Sequence, residues 1–442
     1  MKKIFIFIAL LLSIAVIFAG CKEDGFDYEK WLKEQEKMEA NRPEVWIYDT
    51  DDGNMESTFL YYNYLKDEGG EPEKQYRIMV FSSAEYDRDA YLKKLQAAIM
   101  AGKGPDIFLT ADPDLLTDVN KVIEAGAMQP WDEYLADWTD EDYYLQVIEG
   151  CRSEDGKIYL LPIEFSPYLV VTTKSNLEKY GFTSDDFAYA QSTVEAFLRV
   201  CQSDAKESGN FSFRHKLPMQ MIFPEILGSR DGVSFSQPQL SALLDKFSAY
   251  YSTGEFVTST QKMFYVTLNR ILDQNLPADI MTADILLLNI QHLRLSALEK
   301  GEDAVEQTMR ELQEELVLFP LVDTDGKMCT EIVMYAMIPR NSKAPEVALD
   351  MVQTSLYERQ LSTNLGYFSV SKGYTDFSMR SYRQEYSIVS EQLEQILNYT
   401  MKGYVMNQML SDIAGKINDG LILGESYDWE ELERSINIYL SE

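Results

Sequence analysis

The sequence predicts an α/β protein whose sheets are mostly parallel and covered by helices. Two observations carry this. Strand-patterned and helix-patterned segments alternate strictly between residues 45 and 126, as in βαβ units. Apolar residues make up 45% and aromatics 12% of the 442 residues, enough for a sizeable core and too much for a disordered acidic chain.

VWIY (45–48) reads as a buried strand and MESTFLYYNYLKDE (55–68) as a helix. QYRIMVF (75–81) is a strand, and DRDAYLKKLQAAIMAG (87–102) a helix with Asp87 or Asp89 at its start and Gly102 at its end. DIFLT (106–110) is a strand and DPDLLTDVNKVIEAG (112–126) a helix closed by Gly126. Residues 156–182 read as two strands split by a proline-marked crossing, then a helix ending at Gly181. Helices are predicted at 193–207 and 238–253, a helix-rich stretch at 262–316, and a strand at 317–323. Asp325-Gly326 makes a turn into a buried strand at 331–339, followed by a helix at 344–356 and a mostly helical end, 382–442. In such sheets ligands bind beyond the carboxyl ends of the strands. That points to the loops at 49–54, 82–86 and 110–113.

Charge and composition exclude several classes. With 40 Lys and Arg against 72 Asp and Glu, the net charge of −32 leaves no basic track for nucleic acid. His215 and His292 are the only histidines, too few for a histidine-rich metal site or a histidine-based triad. Four cysteines are too few for a disulfide scaffold, and Cys151, Cys201 and Cys329 read as buried free thiols.

The N-terminus has the shape of a secretory signal: Lys2 and Lys3, an uncharged apolar run from Ile4 to Phe18, then Ala19, Gly20 and Cys21. The ending resembles a bacterial lipoprotein lipobox, with Phe18 where leucine is usual. The resemblance implies a signal peptide at 1–20, a diacylglycerol on Cys21, and a protein anchored to the outer face of the bacterial cytoplasmic membrane. Residues 21–42, lipidated cysteine and charged stretch, then form a tether.

Four stretches, in this order, resemble the family 1 extracellular solute-binding proteins, the maltose-binding-like receptors of ABC importers. They are YLKKLQAAIMAGKGPDIFLT (91–110), GAMQPWDEYL (126–135), GKIYLLPIEFSPYLVVTTKSNLEKYGF (156–182) and AMIPRNSKAPEVALDMVQTSLYERQLSTNLGYFSVSKG (336–373). The resemblance implies a two-lobed periplasmic-binding-protein-like fold of type II, each lobe a mostly parallel sheet flanked by helices. Lobe 1 is expected at 43–165 plus 331–375 and lobe 2 at 166–330 plus 376–442, with a hinge where the chain crosses near Phe165, Thr330 and Thr375. It also implies a monomeric receptor with no catalytic residues, cofactor or metal, partnered by a permease. The chain departs from the family pattern at Thr172 and Thr173, at Ser369, and in lacking a tryptophan near Ser184–Asp186.

The solute class implied is a mono- or oligosaccharide. Sugars are held by aromatic faces stacked on the ring and by carboxylates or amides that accept hydroxyl protons. Candidates of both kinds are Tyr48, Asp49, Asp51, Asp52, Thr110, Asp112, Phe165, Ser166, Tyr168, Tyr404 and Trp429, with Tyr427 beside the last. Asp106 reads as structural, its carboxylate bonding nearby backbone N–H groups. The run DTDDGN (49–54) has calcium-loop character but is one residue short of that spacing. Glu164 and Asp112 are the carboxylates that glycoside hydrolysis would need. Two other readings remain open: a surface lipoprotein of the same fold acting as a sensor or interaction partner, and a receptor for a peptide-like or cationic solute.

Overall fold

The structure is a computed structural model that describes residues 41–49, 54–82, 87–112, 115–116, 119–153, 155–201, 267–274, 276–323, 326–358, 367–385 and 387–404, with isolated residues near either end. Cys21, the lipobox and the predicted helix at 238–253 lie outside them, as does Asp325 of the predicted turn. Among the described residues, no helix is long and apolar enough to cross a membrane.

The first half follows the alternation. Strand β1 (Glu44–Asp49) leads to helix α1 (Asn54–Glu68), β2 (Arg77–Ser82), α2 (Arg88–Met100) and β3 (Ile107–Thr110). β2 and β3 flank β1, both parallel to it, pairing Tyr48 with Phe81 on one side and Thr110 on the other. The helix predicted over 112–126 is shorter, α3 (Val119–Glu124). Its first turns are absent because the Thr110 hydroxyl bonds both the amide and the carbonyl of Asp112, fixing a turn there, while Leu115 and Leu116 are buried in a bend. A two-residue β4 (Met128–Gln129) and α4 (Leu145–Gly150) follow.

The next region differs from its sequence reading. Residues 160–173 form one strand, β5, with no break at Pro167. From Leu160 to Pro167 it runs antiparallel to β8 (Met328–Pro339), with register shifts between Pro162 and Phe165. From Tyr168 onward it lies between β6 (Ala278–Thr282) and β7 (Leu316–Pro320), antiparallel to both. The change of partner falls beside Pro167, which has no N–H to give a ladder. Pairing is therefore mixed: parallel at β1–β2, β1–β3 and β8–β10 (β10, Met401–Tyr404), antiparallel around β5. β6 was hidden within the apolar run that continues into a helix, since a strand buried on both faces shows no alternation.

Helix α5 (Lys174–Tyr180) starts on Thr173, whose hydroxyl accepts from the Asn176 amide, and ends at Gly181 with φ +64°. The remaining helices are α6 (Ala190–Cys201), α7 (Thr267–Leu272), α8 (Ala283–Leu298), α9 (Glu302–Glu315), α10 (Pro345–Glu358), α11 (Lys372–Glu385) and α12 (Ser387–Leu397), with a short β9 (Phe368–Ser369). The core runs through the sheet, anchored by Trp46, Tyr62, Phe81, Tyr91, Trp131 and Phe165.

The four family-like stretches meet at one end of this sheet. Gln129 donates to the carbonyls of Pro339 and Arg340, and the Trp131 amide donates to the Ile158 carbonyl. Leu160 pairs with Met337 across β5 and β8. This end holds the amino ends of β1 and β3, so it is opposite the end where ligands bind in sheets of this kind.

Candidate functional site

At the carboxyl ends of β1 and β3, Tyr48, Thr110 and Asp112 come together. Arg88 opens α2, and its Nε donates to Asp112 Oδ2 at 2.6 Å. Asp87 caps the helix, its Oδ1 accepting from the Ala90 amide at 3.1 Å. Tyr48 stacks on Tyr91 of α2, ring centroids 4.9 Å apart. Burial raises the Tyr48 phenol above its ordinary pKa, Asp112 and Asp87 add to this, and Arg88 opposes it.

A second polar group sits where β5 changes partners. The buried Ser166 hydroxyl donates to Asp284 Oδ1 at 2.8 Å, tying β5 to the first turn of α8. The Asp284 carboxyl is raised, mainly by burial, while Thr282, Ser166 and backbone amides pull the other way. One step along, the Tyr168 hydroxyl donates to Glu331 Oε2 at 2.9 Å. Glu331 pairs in register with Ser166 on one side and with Tyr404 on the other, so β5, β8 and β10 meet at one level.

The sequence-predicted residues divide as follows. Tyr48, Thr110 and Asp112 form the first group; Ser166 and Tyr168 the second, with Tyr404 placed beside it by register alone. Asp49 closes β1 opposite Ser82. Asp51, Asp52, Tyr427 and Trp429 lie outside the described residues. Phe165 is fully buried, with Tyr144 against it at 5.5 Å and Phe368 at 6.0 Å. Sequence reasoning missed Arg88, Asp284 and Glu331. Arg88 follows a capping aspartate, a weak signal; Asp284 follows the hidden β6, and Glu331 opens an apolar strand, so neither stood out.

The arrangement supplies hydroxyl, carboxylate, guanidinium and phenol groups suited to hydrogen-bonding a polar solute. Asp112 is engaged by Arg88, and Glu164 lies on β5 with β8 between it and β3, roughly 10 Å across two strand spacings. Among the described residues, no group of three or more His, Cys, Asp or Glu is placed to hold a metal ion.

The fold is the two-lobed periplasmic-binding-protein fold. Residues 81–214 match the family model of bacterial extracellular solute-binding protein. No curated protein matches the sequence. Among solved structures, the family 1 extracellular solute-binding protein from Alicyclobacillus acidocaldarius is similar, with a TM-score of 0.57 and 13% identity over 91% of this chain and 98% of that one. The cyclic α-maltosyl-1,6-maltose binding protein from Arthrobacter globiformis gives 0.53 and 14%, over 90% and 99%. The galacto-N-biose-/lacto-N-biose I-binding protein of the ABC transporter from Bifidobacterium longum, in complex with lacto-N-biose, gives 0.53 and 13%, over 91% and 96%. At these identities the likeness is one of fold.

Proposed function

We propose that this protein is a lipid-anchored extracellular receptor that takes up a mono- or oligosaccharide between two lobes and delivers it to the permease of an ABC importer. The observation that carries the reading is the change of partners of β5 at Pro167–Tyr168, flanked by polar groups on both sides. Lobe 1 is then 43–165 plus 331–375 and lobe 2 is 166–330 plus 376–442, with the crossings near Phe165, Thr330 and Thr375 as hinge. Solute binding shifts the lobes toward closure by its differential affinity for the closed form. The sugars named for the Arthrobacter and Bifidobacterium proteins support a saccharide here. Lipid on Cys21 would hold the receptor at the membrane.

Thermal unfolding against lacto-N-biose, maltose, cyclic α-maltosyl-1,6-maltose, polyamines and peptides tests the reading. A ligand at a hundred times its Kd stabilises by about 2.7 kcal/mol, a visible shift. A shift with a sugar supports the carbohydrate receptor. A shift only with polyamine or peptide replaces the solute class, and none at all favours a sensor or interaction role.

A further inference from the structure

Helix α1 carries an exposed apolar patch. Leu60, Tyr61 and Tyr64 are 55%, 40% and 56% exposed, and the two tyrosine rings stand 6.1 Å apart, centroid to centroid. Tyr64 lies one turn on from both Leu60 and Tyr61, so the three share a side of the helix. Tyr62 is buried instead, its hydroxyl donating to the Lys74 carbonyl and to Asp350 Oδ2 of α10, both at 3.3 Å. The patch thus sits on a helix fixed from behind. A cluster of this kind on a protein surface marks a contact site.

Its place in the fold says what covers it. β1 and β2 are parallel, so α1 runs from the carboxyl end of β1 back to the amino end of β2. Asn63, inside the patch, holds Tyr76: its Nδ2 donates to the Tyr76 carbonyl at 2.8 Å, and its Oδ1 accepts from the Tyr76 amide at 2.7 Å. The next residue, Arg77, starts β2, and its amide donates to the carbonyl of Pro43, just before β1. The patch therefore stands at the level where the chain enters the sheet from its N-terminal segment. Only 22 residues (22–43) separate that point from Cys21, no more than about 75 Å when fully extended.

We propose that Leu60, Tyr61 and Tyr64 dock on the lipid surface to which Cys21 is anchored, a second contact that sets how the receptor stands on the membrane. The inference rests on the reading of Cys21 as lipidated. Tyrosine suits the place, because its ring enters the apolar edge of the headgroup region while its hydroxyl stays wet. Tethering makes the contact intramolecular, so a weak patch suffices. The contact is apolar rather than electrostatic: Lys66 and Lys74 nearby are paired with Glu71 and Asp350, and Asp67 and Glu68 end the helix.

The lipidated chain in phosphatidylcholine vesicles, with lipid brominated near the headgroup as quencher, tests this. Tyr64→Trp places a reporter in the patch. Leu298→Trp places one at an equally exposed position, 55%, at the end of α8. Wild type, with its five tryptophans, sets the baseline. Expected is a further loss of roughly a sixth of the emission in the Tyr64 variant, the share of one tryptophan in six, and none in the Leu298 variant. Equal loss in the two variants, or no loss beyond wild type at position 64, overturns the inference and leaves the lipid anchor standing; the patch then faces water or a protein. A mature chain whose mass lacks a diacylglycerol on Cys21 overturns the anchor, and the inference with it.

Discussion

Asp106 Oδ1 accepts the Lys343 amide at 2.7 Å, joining two segments 237 positions apart in the chain. The same oxygen accepts the Ser342 hydroxyl at 3.3 Å, and Oδ2 accepts the Glu44 amide at 2.9 Å. One carboxylate thus ties the start of β3 to the start of β1 and to the loop after β8. The Gly-Lys-Gly-Pro-Asp turn and the Asn-Ser-Lys loop hold each other, at the end of the sheet away from the polar site.

Asp106→Ala should therefore weaken the fold and spare the site. Removing a charged acceptor of three hydrogen bonds costs about 2–4 kcal/mol. Denaturant unfolding would show the midpoint fall, while calorimetry with a bound solute would give an unchanged Kd. A changed affinity at full occupancy of the folded state would mean that this turn reaches the site.

Gly102 in the same turn has φ +64°, and a Cβ there would stand 3.3 Å from the Asn341 amide nitrogen. Gly102→Ala pays for the left-handed backbone, roughly 1–2 kcal/mol. The flexible Asn341 side chain can give way, so the backbone term should account for most of the loss. Gly102→Ala combined with Asn341→Ala separates the two: a loss unchanged in the double variant is backbone strain.

Much of the sheet from β1 to β3 was legible because its signals are local. Val45–Tyr48 and Ile107–Thr110 are short runs with a helix pattern between them, and their shared carboxyl end, where Tyr48, Thr110 and Asp112 come together, follows from topology. β6 was lost because Ala278–Thr282 merges with the apolar start of α8. Asp284 and Glu331 owe their place to register with a distant strand, which leaves no mark in sequence. With 28 tyrosines, aromatic composition could not say which rings pack in the core, as Tyr62 and Tyr76 do.

Phe165 separates core from site. Its ring is enclosed by Tyr144 and Phe368, so Phe165→Leu should lower stability through lost packing, by about 1–2 kcal/mol, at constant solute affinity. Tyr168→Phe next door removes the hydroxyl that bonds Glu331, so it should alter affinity if this level of the sheet meets solute. Affinity loss in the Phe165 variant and none in the Tyr168 variant would reverse the assignment.

Asp132 gives a pH test remote from the site. Burial acts most strongly on its carboxyl and raises it, but the Ile158 amide and Arg152 together outweigh burial and hold it below the ordinary value of 3.8. An acid with a lowered folded pKa favours the fold above its unfolded value, and that contribution is lost as the pH falls through the folded one. Asp132→Asn should be less stable than wild type at neutral pH. The gap should close as the solution is acidified below the ordinary carboxylate range. A gap that stays constant with pH would assign the loss to packing.

Asp284 titrates with the opposite sign. Burial raises its carboxyl above 3.8 although Thr282, Ser166 and two amides favour the ionised form. The groups that face it are Ser166 and Tyr168 of β5, with Glu331 of β8 behind the Tyr168 hydroxyl. An acid whose folded pKa is raised binds more protons when folded, so its contribution favours the fold at low pH and is lost as pH climbs through the folded value. Asp284→Asn keeps an oxygen to accept from Ser166 and removes the titration. Relative to wild type, the variant should gain stability as pH rises from about 4 toward 7, read by denaturant midpoints at each pH. Should the wild type instead gain on the variant over that range, the ionised carboxylate must be stabilised at this crossing, and Ser166 with the α8 amides would outweigh burial.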